Sequence, residues 1–426
     1  MKKRFTALAL CVMLILSLCA RSEKKTEAKT GSALSEDYST SIYVCGTWGN
    51  FEALDAAAQL FNKEFPNIQV VYEQLGNYGS DLNNRFASGE NVDIYTTDWL
   101  LSNDERYSYY TDNALELDLD FSSVDERYLQ TGLVDGKQFA VPIYAHSYGL
   151  MVNEDLLAKY NLSVPADFDE FINCCDTLKN GGIYPVLEAD RLFTTQFFLS
   201  NVLSDVLRSD KAEEQAEAIL NGKDSEGYLA ESLSMLENVY NSDYIHPDSA
   251  SLEDNYNSAI MRFFEGDIAF VPFNTSNFSG TKKREAKSEN FSAEPFKYSF
   301  VPAFSNDGYG HVVQQLGTVY MSIFDGVEEE KLPYVKAFLQ FLIDDEGSAE
   351  LARVKNMPTS NMNTGCKEFP YLDKLEKDDI YYVGMNREND TMLRLNQLVR
   401  AASLCIEPGK SAENLLEESI DSLSRE

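Results

Sequence analysis

Short alternating or continuous apolar runs are separated along the chain by amphipathic stretches, the order expected of α/β architecture. Ser41 to Cys45 predicts a strand. It leads through Gly46-Thr47-Trp48-Gly49-Asn50 into a helix, where Leu54, Ala57, Phe61 and Phe65 recur at helical spacing until Pro66 stops the run. Ile68 to Tyr72 predicts the next strand, completing a β-loop-α-β unit. Ser80 to Phe86 predicts a helix ending at Ser88-Gly89, and Val92 to Tyr95 a buried strand running into Thr96-Thr97-Asp98-Trp99.

Further on, Gly132 to Gln138 predicts a hairpin turn, followed by an extended path from Phe139 to Val152 that contains Pro142. Proline inside such a path fits a crossing between two bodies better than a central strand. Helices are expected over Asn153 to Tyr160, Phe168 to Leu178 (with Asp167 as a cap) and much of Arg191 to Tyr240. Ile260 to Phe273 predicts helix, turn and strand, and the polar stretch Gly280 to Glu294 a surface loop. Strands are expected over Tyr298 to Ala303 and Val319 to Phe324, then a helix over Pro333 to Ile343. Met357-Pro358-Thr359-Ser360 marks a second crossing before a mostly helical tail. No linker rich in Pro or Gly divides the chain into sequential halves, as expected if two lobes are joined by several crossings.

The N-terminus changes the picture of location. Lys2-Lys3-Arg4 precedes an apolar run from Phe5 to Leu18, the pattern of a signal peptide too short to span a membrane. Leu16-Ser17-Leu18-Cys19 resembles a lipobox, with Leu18 where a small residue is usual, so Cys19 is the expected lipidation site. Ala20 to Thr40, rich in Ser, Thr, Lys, Glu and Ala, suits a flexible tether. Seven cysteines form no CxxC pair or Cys/His cluster, so no zinc site or disulfide framework is indicated. The adjacent Cys174 and Cys175 fit small buried hydrophobes. A formal charge of -33 disfavours nucleic acid and leaves a cationic solute open as an alternative ligand.

Candidate binding chemistry gathers at strand ends, where ligand crevices of open α/β sheets lie. The chain's two tryptophans, Trp48 and Trp99, each follow a predicted strand and suit packing on the C–H face of a sugar ring, although either could be a core residue. Asp98 could accept bonds from adjacent hydroxyls or cap a helix, and Asn50 and Glu52 carry the same ambiguity. Tyr144, His146 and Tyr148 alternate and would project to one side of a strand as a cleft wall. Asn274-Thr275-Ser276 offers amide and hydroxyl groups, or a capped helix start. His311 and Gln315 belong to a polar turn before a strand. The histidines are not spaced as metal ligands, and no metal or cofactor is expected. GxSxG, HExxH, GxxxxGK[ST] and GxGxxG are all absent, which speaks against an enzyme, with surface glycan processing the one catalytic alternative.

These parts, in order, resemble the extracellular solute-binding proteins of family 1, the maltose-binding-protein-like sugar receptors of ABC importers. The resemblance is carried by Trp48-Gly49-Asn50 before a helix ending Phe65-Pro66-Asn67-Ile68, and by Val92-Asp93-Ile94-Tyr95 before Asp98-Trp99. It continues through Val141-Pro142-Ile143-Tyr144, Gly149 to Leu157, Phe264 to Phe270, Ala337 to Leu342, Glu346-Gly347 and Met357-Pro358. It implies a two-lobed periplasmic-binding-protein-like fold of class II, with crossings near Tyr144, Ala303 and Met357. Trp48, Asp98, Trp99, Tyr144, His146 and the Asn274 turn would line the cleft. Family members often carry Gly-Gly and Trp in the turns where this chain has Asn274-Thr275-Ser276 and Gln314-Gln315, so the sugar's identity does not transfer. The expected division is a signal peptide over 1–18, a tether over 19–40, lobe 1 over 41–144 and 304–356, and lobe 2 over 145–303 and 357–426. The resemblance implies a monomer on the outer face of the cytoplasmic membrane, capturing a carbohydrate for a permease.

Overall fold

The computed structural model describes residues 34–49, 51–97, 103–224, 226–252, 255–303, 312–366 and 380–383, with Tyr371, Thr391, Arg394, Leu395 and Leu398. The signal peptide, Cys19, Asn50, Asp98, Trp99 and His311 lie outside the described residues, as do the side chains of Gln314 and Gln315.

Strands β1 (Thr40–Gly46), β2 (Ile68–Gln74) and β3 (Ile94–Thr97) form a parallel set with β1 in the middle. The helix Glu52–Phe61 returns the chain from β1 to β2 and buries Ala53, Leu54, Ala57, Ala58 and Phe61, the face that its periodicity predicts. A hairpin of β4 (Leu133–Val134) and β5 (Lys137–Gln138) precedes β6 (Val141–Asn153), the long extended path. Beyond it come β7 (Phe270–Asn274), β8 (Tyr298–Pro302), β9 (Val312–Ile323) and β10 (Ile380–Val383).

β6 is shared between two bodies. Its first half pairs antiparallel with β9, which in turn pairs with β3, while its second half pairs antiparallel with both β7 and β8. The hydrophobic clusters divide in the same way. One gathers Ile42, Leu54, Phe61, Ile94, Ile143, Met321, Phe338 and Leu351, and another gathers Leu150, Val152, Phe171, Phe197, Leu233, Phe270 and Val301. Leu395 and Leu398, from the far end of the chain, join the second. At the middle of β6, Ala145 N–H donates to Pro358 O (3.0 Å) and Ala303 N–H to Tyr148 O (2.9 Å). The segments near Tyr144, Ala303 and Met357 therefore lie side by side.

Local chemistry fixes the element ends. Asn153 Oδ1 accepts from Leu156 N–H (2.9 Å) to cap Glu154–Lys159, and Asp167 Oδ1 accepts from Glu170 N–H (2.8 Å) to cap Phe168–Asn180. Cys174 and Cys175 are buried free thiols within that second core. Among the described residues no helix is long and apolar enough to cross a membrane.

Four expectations change. Gly280 to Glu294 is not a loop but the helices Phe278–Glu285 and Glu289–Ala293; the first buries only Phe278 and Thr281 and the second no residue, which leaves little periodic signal. Gln314 and Gln315 are not in a turn before a strand. They lie inside β9, with backbones in register with Ser147 and His146. Tyr144 and Tyr148, expected with His146 to form one open cleft wall, are both buried, and of the three only His146 is partly exposed; the register shift between Tyr144 and His146 places its extra residue on β9, not on β6. Finally, Tyr38 stacks on Tyr334 with ring centroids 4.4 Å apart, and β1 begins at Thr40, so the folded body starts inside the stretch expected to be tether.

Candidate functional site

Just past the carboxyl end of β1, Trp48 is half-buried. Its carbonyl accepts a bond from Tyr72 Oη (2.9 Å), and its ring tilts against Phe51 at 4.9 Å and stacks on Tyr144 at 5.6 Å and 22°. Tyr144 itself is fully buried and donates its hydroxyl to Leu351 O (3.2 Å). It is therefore the floor beneath Trp48, not a wall open to ligand, and its polar tip finds a backbone acceptor.

Glu52 opens the next helix and meets two ammonium groups from distant parts of the chain. Oε1 lies 3.0 Å from Lys283 Nζ, on the Phe278–Glu285 helix of the second body, and Oε2 lies 3.2 Å from Lys355 Nζ, at the end of the Asp345–Lys355 helix of the first. Burial alone would push the Glu52 carboxyl up. The helix-terminal backbone N–H and the two ammoniums outweigh it and hold the group at about 2. Lys355 Nζ also sits 5.1 Å from the Trp48 ring centroid.

Further along β6, His146 and Tyr148 meet edge to face at 6.0 Å, and Tyr148, itself buried, packs on Phe193 at 6.1 Å. Tyr148 is in register with Asn274 at the carboxyl end of β7. Asn274 is buried and its Oδ1 accepts from Ser276 N–H (2.8 Å), the turn-capping arrangement; Ser276 is partly exposed. Thr275 Oγ1, also buried, accepts from Ser147 N–H (3.0 Å) and ties this turn to the middle of β6.

The structure thus gathers Trp48, Tyr144, His146, Tyr148, Asn274 and Ser276 around one crossing, with the backbone of Gln315 beside His146. Lys283, Lys355 and Phe193 join them without having been singled out in the sequence; no local pattern marks a lysine whose partner is 231 or 303 residues away. Among the described residues no group of three or more His, Cys, Asp or Glu side chains is placed to hold a metal ion. What the junction leaves partly exposed is the rings of Trp48, His146 and Phe193 and the Ser276 side chain, beside one internally neutralised carboxylate.

A family model described as "Bacterial extracellular solute-binding protein" matches residues 46–349. The melibiose/raffinose/stachyose-binding protein MelE of Bacillus subtilis (strain 168) is 26% identical over 235 residues, covering 52% of this chain and 51% of that protein. The match thus spans about half the length of that curated relative. Among solved structures, the apo form of RafE from Streptococcus pneumoniae superposes with a TM-score of 0.69 at 16% identity, covering 92% of this chain and 99% of that one. A sugar transporter of Bacillus licheniformis, solved in complex with stachyose, gives a TM-score of 0.60 at 18% identity, covering 91% and 100%. These likenesses show that the fold is the mixed α/β fold of RafE-type binding proteins. With the family model matched across most of its length, the chain belongs to the bacterial extracellular solute-binding proteins.

Proposed function

We propose that the protein captures a neutral oligosaccharide between two lobes and delivers it to the permease of an ABC importer. Membership of a solute-binding family assigns it binding, not a reaction. One observation carries the choice of ligand: β6 seats two partly exposed rings, Trp48 stacked on its buried Tyr144 and its own His146 edge-on to buried Tyr148. Aromatic faces beside amide and hydroxyl groups suit sugar rings. The names of MelE and of the stachyose-bound neighbour point to raffinose-type oligosaccharides as the first to try.

In this reading Trp48, His146 and Ser276 contact the sugar, joined by Asn50, Asp98, Trp99, His311 and Gln315, while buried Tyr148 backs His146 and reaches the sugar only at its edge. Tyr144 and Asn274 hold the platform and the turn in place. Lobe 1 comprises 41–144 and 304–356, and lobe 2 comprises 145–303 and 357–426, a division supported by the two hydrophobic clusters except at Met357, which packs with lobe 1. Ligand contacting both lobes favours the closed state, which is a population shift. A lipid on Cys19, supported by the Leu16-Ser17-Leu18-Cys19 run, would tether the monomer to the outer face of the cytoplasmic membrane.

Titration with raffinose, stachyose, maltotriose and spermidine, followed by tryptophan fluorescence and Tm together, tests this. A saturable response to an oligosaccharide is expected, weakened about ten-fold by Trp48→Ala, the scale of one aromatic platform. Silence toward every sugar alongside a response to spermidine overturns it.

A further inference from the structure

Lys355 is only 12% exposed, and its ammonium occupies a place of recognisable chemistry: 5.1 Å from the Trp48 ring centroid and 3.2 Å from Glu52 Oε2. An aromatic face and a carboxylate converging on one ammonium are the means by which proteins bind a ligand amine. Here the amine is the protein's own. The remaining carboxylate oxygen is taken by Lys283, 3.0 Å away, from the other body.

We infer that Trp48 and Glu52 form a cation subsite with a built-in occupant, and that Lys355 sets specificity by shutting cationic solutes out of the cleft. The need for such an occupant follows from charge. A chain carrying -33 attracts cations from solution, and an unpaired carboxylate beside an indole at the cleft would retain them. With both lysines in place, each Glu52 oxygen has a partner, so an arriving amine finds both acceptors taken where it would otherwise find a trap. A neutral polyhydroxyl ligand loses nothing by this arrangement. The inference rests on the junction being the ligand cleft, but not on the ligand being a sugar.

Lys355→Ala removes an alkyl stem and its ammonium, leaving room for the same fragment in free form. Calorimetric titration of the full-length protein with n-butylammonium, cadaverine and the uncharged control n-butanol reads the outcome. Wild type is expected to show no saturable heat with any of them. Lys355→Ala is expected to bind n-butylammonium at least about ten-fold more tightly than wild type, the scale of one cation–π contact plus one ion pair. Adding Glu52→Gln is expected to remove the gain. Lys355→Ser, whose hydroxyl can face Glu52, carries the same expectation should the alanine variant fail to fold. A folded Lys355 variant that ignores the amine, one that takes n-butanol equally well, or a wild type that binds the amine as tightly each overturns the inference. Failure of every sugar to bind wild type would sink the oligosaccharide reading and leave this one standing, so the two fail separately.

Discussion

Trp48 and Tyr144 divide two tasks between neighbouring rings. Tyr144, buried and bonded to Leu351 O, fixes the height at which Trp48 sits. Tyr144→Phe keeps the ring and removes one buried hydrogen bond to Leu351 O, so a loss of about 1 kcal/mol in denaturant unfolding is expected with sugar affinity nearly unchanged. Tyr144→Ala should cost about 3–5 kcal/mol and weaken sugar binding as well, because Trp48 loses its floor. Glu52 makes a second residue-scale prediction. Its carboxyl is held at about 2, below its ordinary 4.5, so its stabilising contribution is complete above about 4.5 and is lost as pH falls towards about 2. Tm should therefore drop more steeply over that window in wild type than in Glu52→Gln. The ring spacing that flagged Tyr144, His146 and Tyr148 was legible in the sequence, but the burial of Tyr144 and Tyr148 was not, since a period of two tells which side a residue faces and not what packs against that side.

At the scale of elements, β6 is held closely by its neighbours. A Cβ at Gly149 would lie 2.0 Å from Val301 O in β8, with the Phe300 ring also in its way, so glycine there is a requirement of strand approach. Gly149→Ala should separate β6 from β8 and cost about 1–3 kcal/mol, measurable by thermal or chemical unfolding. The turn after β7 is pinned to the same strand by Thr275 Oγ1. Thr275→Val leaves the buried Ser147 N–H without that acceptor and should cost a similar amount, with Ser147 among the amides whose hydrogen exchange accelerates most. Strong periodicity made the first helix and strands legible, together with the caps at Asn153 and Asp167. The Phe278–Glu285 helix was hidden because its run of Lys and Arg resembles a solvated loop until Phe278 and Thr281 are seen to be buried.

Over the whole molecule, the absence of a Pro- or Gly-rich linker was the informative signal, because bodies joined by several strands need none. The exact routes were not legible: β9 passes through the polar Gln314-Gln315 pair that sequence alone placed in a turn. One consequence of this threading concerns how the protein is made. β3 takes its antiparallel partner from β9, and the same β9 flanks β6, so the first body cannot complete its sheet until residues up to Ile323 have been synthesised. Contacts this distant in sequence form slowly. The nascent chain should thus remain open through most of translation, a form that an export channel can thread, with compaction deferred to the far side of the membrane. A chain ending at residue 303 should accordingly stay sensitive to protease across its N-terminal half, whereas the full chain resists.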